Sequence, residues 1–315
     1  MIPNQIIEWL LDSDVSIQYQ GYRDLLSIDR SDLKEGVSKE GWGARFLSYQ
    51  NSNGHWGRGF YQPKWISSHY TILDLKNLSI SNQCKEIQDT INKIIRENKD
   101  PDGGINPAKT VPNSDICICG MFLNYAAYFG ANEDDLKSVV DFILSQQLSD
   151  GGFNCQFNFH GAKHSSVHST LSVIEGILEY SQQGYTYRLN ELKKVEEESR
   201  EFLLEHKLYK SHRTGEIIDR RMLMLSYPSR WRYDILRALD YFRLAGVGYD
   251  GRMADALEVL IKKQRADMTW TLQCKHSGQT HFDMETIGQP SRWNTLRALR
   301  VLKHFGLIER IKKAK

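Results

Sequence analysis

The stretch PNSDICICGMF, Pro112 to Phe122, sets a carboxylate, Asp115, two positions before a thiol, Cys117, with a second thiol, Cys119, two positions further on. Carboxylate and thiolate are both ligands for a divalent metal. An acid at a helix start, followed by small residues that pack, is also ordinary helix chemistry, because the acid complements the N-terminal dipole. Residues i and i+2 lie about 200° apart around an ideal helix, so Asp115 and Cys117 converge on one point only if Asp115 stands in a non-helical first turn. Pro112-Asn113-Ser114 permits such a start. A second chemical signal is the duplicated PSRW, which places Arg230 and Arg292 before two similar apolar runs. Guanidinium forks suit phosphate oxygens, and equally suit bonds that tie neighbouring helices together.

The elements that carry these residues repeat. QNSNGHW (Gln50–Trp56), QLSDGGF (Gln147–Phe153) and QRADMTW (Gln264–Trp270) share a glutamine, an acid or amide three positions on, and an aromatic three beyond that; KDPDGGI (Lys99–Ile105) is a degenerate copy. HKLYKSHRTGEI looks like an eroded one. Each copy follows one amphipathic run and precedes another. Before Gln147, residues Leu136, Val139, Val140, Ile143 and Leu144 recur at helical spacing; after it, Val167, Leu171, Ile174, Ile177 and Leu178 do the same. The unit is therefore helix, Gly-rich turn, helix, and six such hairpins cover nearly all of residues 1–315 as a single domain. Periodicity alone leaves open whether they stack as an open solenoid or close into a ring. Aligning the second helices places Tyr19, His69, Cys117, His168, Tyr233 and Trp293 at one register.

The Gln-x3-Gly-x-Trp/Phe repeat over six hairpins resembles the prenyltransferase and squalene-cyclase repeat superfamily. The resemblance implies an all-α fold, a closed α/α toroid of six hairpins with the second helices as the inner ring and an apolar cavity inside. The sequence lacks the Asp-x-Asp-Asp motif of the terpene cyclases, which speaks against acid-initiated cyclisation. The site pattern is nearest to the protein prenyltransferase β-subunits, where Asp-x-Cys at one inner helix and a histidine in the next bind zinc. That resemblance implies Zn2+ on Asp115, Cys117 and His168, with His69 or His164 as a fourth ligand or a supporting residue. It further implies an isoprenoid-like ligand lined by Tyr19, Tyr233 and Trp293, with Arg230 and Arg292 on a diphosphate. Two functions follow as expectations: a zinc-dependent transferase acting on an isoprenoid diphosphate or similar apolar substrate, or a non-catalytic toroid that binds an apolar ligand or a protein partner.

Composition sets the outer bounds. With 41 basic against 39 acidic side chains and no basic run, nothing suggests a nucleic-acid or anionic-membrane surface. The N-terminal MIPNQIIEWLLDSD has no basic leader and its apolar run is broken by Glu8, so no membrane span and a cytoplasmic location are expected. Five cysteines, an odd number in a long chain, suit free thiols or metal ligands better than a disulfide framework.

Overall fold

The computed structural model describes residues 2–108 and 110–311. Among them helices dominate, and the only paired strands are β1 (Trp270–Thr271) and β2 (Pro290–Ser291), two residues each and antiparallel. The chain is all-α, as its periodicity predicts. No described helix is long and apolar enough to cross a membrane. The contacts divide the chain into two compact units, one formed by Met1–Ser48, Asn77–Ser81 and Leu204–Lys315, the other by Tyr49–Lys76 and Asn82–Leu203.

The first unit begins with α1 (Asn4–Leu11), α2 (Val15–Gly21), α3 (Ser31–Gly36) and α4 (Gly41–Leu47). The second is built on α5 (Ser68–Asn77), α6 (Lys85–Asn98), α7 (Ile116–Tyr128), α8 (Glu133–Ser145), the short α9 (Phe157–His160), α10 (Val167–Gln182) and α11 (Leu189–Glu205). The chain then returns to the first unit with α12 (Ile235–Leu244), α13 (Ala254–Lys262) and α14 (Arg292–His304).

In the first unit α14 packs on α12 and α2 through charge rather than grease alone. Arg300 on α14 sets its Nε 2.9 Å from Asp240 Oδ1 on α12, while its Nη1 lies 2.8 Å from Asp24 Oδ2 and 3.0 Å from Gln20 Oε1. Arg243 reaches the same Asp240 Oδ1 at 2.8 Å. Asp240 and Arg300 are buried, so each charge is tolerated only because the other satisfies it.

In the second unit the two helices of a hairpin differ in how much they bury. Every residue of α7 from Ile116 to Ala127 is buried, and the same holds for α5 from Ser68 to Leu75. α6 and α8 bury one stripe each, Ile87, Ile91, Ile94 and Ile95 on the first and Leu136, Val139, Val140 and Ile143 on the second. The helix after each motif is therefore the interior one. α7 and α10 run parallel at close range: a β-carbon on Gly120 would stand 2.7 Å from Val173 Cα, and one on Gly176 would stand 2.3 Å from Gly120 O.

The repeated motif has a structural cause. The Gln50 side-chain amide donates to Gly54 O at 3.1 Å, and Gln147 does the same to Gly151 O at 3.1 Å. Each glutamine also reaches an exterior helix, Gln50 to Thr90 Oγ1 at 2.9 Å on α6 and Gln147 to Glu198 Oε2 at 2.8 Å on α11. Gly54 and Gly151 sit at φ 81° and 89°, a region that glycine enters without the β-carbon clash. The motif's last position is fully buried in Trp56, Ile105, Phe153 and Trp270. The backbone N–H of each donates to one side chain of the following helix: Ser68 Oγ at 3.0 Å, Cys119 Sγ at 3.2 Å, Thr170 Oγ1 at 3.0 Å and Thr295 Oγ1 at 2.9 Å.

Candidate functional site

Those four bonds fix the register of the interior helices independently of any sequence alignment. Counting back two residues from Cys119, Thr170 and Thr295 gives Cys117, His168 and Trp293, so each of these stands at the same position relative to its own motif. The same count from Ser68 reaches Ile66, and His69 stands three positions later than the alignment placed it.

Asp115 is the N-cap of α7, in extended backbone at φ −102° and ψ 122°, which meets the first-turn condition. Its carboxylate is turned to the helix, however: Oδ1 accepts from the backbone N–H of Cys117 at 2.8 Å and of Ile118 at 3.3 Å. Equal register brings Cys117 and His168 to one level without making them meet. The α10 side chain opposite the thiol is Ser169, with Oγ 3.0 Å from Cys117 Sγ. The same Oγ accepts the backbone N–H of Cys155 at 3.1 Å. Among the described residues no three or more His, Cys, Asp or Glu side chains are grouped so as to hold an ion. As they stand, the Asp115 carboxylate bonds the start of α7 and the Cys117 thiol bonds Ser169.

The electrostatics follow from this packing. The neighbouring Cys155 thiol and burial, with the Asp115 charge nearby, push the Cys117 thiol well up. Cys155 goes the other way, down to about 7, chiefly through its interaction with Cys117 and against burial. Burial raises the Asp115 carboxyl above the usual range against its two backbone bonds. Burial likewise raises the Tyr61 phenol, which feels Asp115, Cys117 and Cys155 and lies 3.3 Å from the Tyr70 hydroxyl. His69 is fully buried within an aromatic box, its ring edge-on to Phe60, Tyr70 and Tyr125 at centroid distances of 5.3, 4.7 and 5.6 Å. Its Nδ1 is 3.1 Å from Tyr125 Oη, and its Nε2 has no hydrogen-bond partner among the described residues. Burial, helped by the Lys64 charge, lowers it to about 3, so the ring is neutral at physiological pH.

Phe60 and Tyr61 also wall an open cavity of about 760 Å³, with Asn53, His55, Arg58, Lys93, Arg96 and Glu97 around its rim. Lys93 and Glu97 are 3.8 Å apart, and His55 Nε2 lies 3.2 Å from the same carboxylate. Arg58 and Arg96 are exposed and make no ion pair with any described residue. The cavity thus presents three cations against one carboxylate, with two guanidinium groups uncommitted.

The other sequence-assigned residues have different duties. Arg292, the first residue of α14, donates from Nε to Trp9 O at 3.2 Å and from Nη2 to Asp12 O at 3.0 Å while covering the Trp9 ring; it ties α14 to α1. The two PSRW copies differ in structure, for Ser291 caps α14 whereas Arg230 sits in a loop at φ 55°, buried, with Asp234 capping α12. Tyr233 is buried with its hydroxyl donating to Leu208 O, and Trp293 is buried against Tyr227 in a stack at 4.5 Å. Tyr19 is half-buried beneath the Arg23 guanidinium. His164 is exposed, its carbonyl accepting from Asn154 at 2.8 Å.

Sequence reasoning missed Cys155, Tyr61, Arg58 and Arg96. One signal was present: Arg58 and Cys155 both stand two positions after the motif's aromatic, where the chain turns back towards the start of an interior helix. No protein-family model matches this chain, and no curated protein matches it.

Proposed function

We propose that this protein is a prenyltransferase-like α/α toroid of six hairpins that binds, in the cytoplasm, a small molecule with an apolar isoprenoid-like body and an anionic head. Support for this reading comes from the parallel interior helices α7 and α10 and from the same motif-to-helix bond recurring at Ser68, Cys119, Thr170 and Thr295. The observation that carries the binding function is the cavity of about 760 Å³ with Arg58 and Arg96 uncommitted at its rim and Phe60 and Tyr61 in its wall. A volume of this size suits a ligand of metabolite scale. Two guanidinium forks give phosphate oxygens paired, charge-assisted bonds, and the aromatic faces take the first carbons of the body. The cavity supports the binding expectation.

Calorimetric titration with farnesyl diphosphate, farnesol and pyrophosphate tests the reading. Farnesyl diphosphate is expected to bind most tightly, pyrophosphate more weakly with affinity falling as salt is raised, and farnesol weakest. Equal binding of farnesol and farnesyl diphosphate, or no binding of either, would overturn it.

A further inference from the structure

Of the five cysteines, one pair is arranged for chemistry with each other. Cys119 is fully buried and its Sγ already accepts the Ile105 N–H at 3.2 Å. Cys84 lies beside the Glu86 carboxylate at 3.3 Å, and Cys274 is directed to Met224 O at 3.8 Å. Cys117 and Cys155 instead share Ser169: its Oγ is 3.0 Å from Cys117 Sγ and accepts the Cys155 backbone N–H at 3.1 Å. One hydroxyl oxygen thus lies within hydrogen-bond reach of both residues, and the two thiols are near enough to shift each other's ionisation. Cys155 is partly exposed in the turn between Phe153 and α9, whereas Cys117 is 7% exposed at the start of α7. One thiol therefore meets solvent and the other waits behind it.

We propose that Cys155 and Cys117 form an oxidation site at which a hydroperoxide is reduced and the two thiols close into an intramolecular disulfide. Cys155, as thiolate, attacks the terminal peroxide oxygen; the O–O bond breaks, the Cys155 sulfur becomes a sulfenic acid, and the departing hydroxide or alkoxide takes a proton to leave as water or alcohol. Cys117 then attacks the Cys155 sulfur; the S–O bond breaks, the S–S bond forms, and hydroxide leaves with the Cys117 proton as a second water. Two thiols lose two hydrogens and two electrons, and the peroxide gains them. The polarity of the pair fits these roles. The partly exposed Cys155 is the one a peroxide can reach first, and the buried Cys117 stands behind it, which is the order that a peroxide-attacking and a resolving thiol require. Ser169 holds both participants in place throughout, one through its thiol and the other through its backbone. This inference rests on the thiol pair alone and is independent of what the cavity binds.

The test uses the full chain, reduced and freed of reductant, exposed to a small excess of hydrogen peroxide at neutral pH, alkylated, and mapped by mass spectrometry without reduction. The intact protein should lose the mass of two hydrogens with no added oxygen, and one cross-linked peptide should join Cys117 to Cys155. A small dithiol should restore both thiols. In Cys117→Ser the resolving thiol is gone, so Cys155 should be captured as sulfenic acid by a dione trap or run on to sulfinic acid. Cys119→Ser should form the same disulfide as the native protein. Recovery of all five thiols alkylated, a disulfide joining any other pair, or Cys155 overoxidised in the native protein while Cys117 stays free would each overturn the proposal.

Discussion

Gly176 lies so close to the carbonyl of Gly120 that a β-carbon at residue 176 would stand 2.3 Å from that oxygen. The contact joins α10 to α7 backbone to backbone, and it sets the spacing on which Ser169 meets Cys117. A backbone atom cannot swing aside as a side chain does, so the helices must part to admit even one methyl group. Gly176→Ala should cost about 3 kcal/mol or more, read by urea unfolding. Gly248→Ala, where no atom lies within 4 Å, is the control and should change stability by less than about 1 kcal/mol. Equal stability of the two variants would show that α7 and α10 are not held at this distance.

Asp240 supplies a pH dependence. Burial opposes its ionisation, but Arg300, Arg243 and Arg297 outweigh burial and hold the carboxyl well below the usual carboxylate range. A depressed pKa contributes stability that is present above the unfolded value of about 3.9 and is lost as pH falls through the folded one. Asp240→Asn leaves Arg300 buried without its main partner and should cost about 3–5 kcal/mol at pH 7. The gap between native and variant, followed by urea unfolding from pH 7 downwards, should narrow as the pH drops below about 4. A gap that stays constant with pH would remove the charge from the account.

His69 makes the opposite case, a base kept neutral. Its pKa is lowered to about 3 by burial, with Lys64 adding to the effect. The folded protein therefore binds fewer protons at this ring than the unfolded chain, and its contribution is full above about 6.5 and declines as pH falls towards the folded value. In a nuclear magnetic resonance titration the His69 ring carbon should not move between pH 8 and pH 5, while in urea the same carbon should titrate near 6.5. A shift centred near pH 6.5 in the folded protein would mean that the aromatic box admits water.

How far these features could be read in advance depends on the distance over which each is set. The glutamine motif was legible because Gln50–Gly54 and Gln147–Gly151 are contacts four residues apart, closed within the turn itself. The equal offset of Cys117, His168 and Trp293 from their own motifs was legible for the same reason, since each helix is indexed from its own turn. What lies opposite a residue on a neighbouring helix is fixed instead by the rotation of two packed cylinders, and a step of one position turns the answer by about 100°. Hence Ser169 rather than His168 faces the Cys117 thiol. Arg292 shows a different limit: its match to Arg230 lay in four letters, but a different cap starts each helix, so one arginine leads α14 and the other falls in a loop. Arg58 and Arg96 carried no motif at all, and only folding brings them to one rim.

The central claim is that Arg58 and Arg96 receive the anionic head of the ligand, and the most direct measurement is the calorimetric affinity for farnesyl diphosphate of three proteins: native, Arg58→Ala/Arg96→Ala, and Arg292→Ala. Both rim arginines are exposed and bind no described residue as an ion pair, so the double variant should fold as the native protein does. Loss of two charge-assisted contacts should weaken binding by about tenfold or more, equivalent to at least about 1.4 kcal/mol. Arg292→Ala, which releases the Trp9 and Asp12 carbonyls of the first unit, should lower thermal stability and leave the affinity unchanged. Native affinity in the double variant, together with lost binding in Arg292→Ala, would contradict the account and return the head group to the arginine that the sequence first suggested.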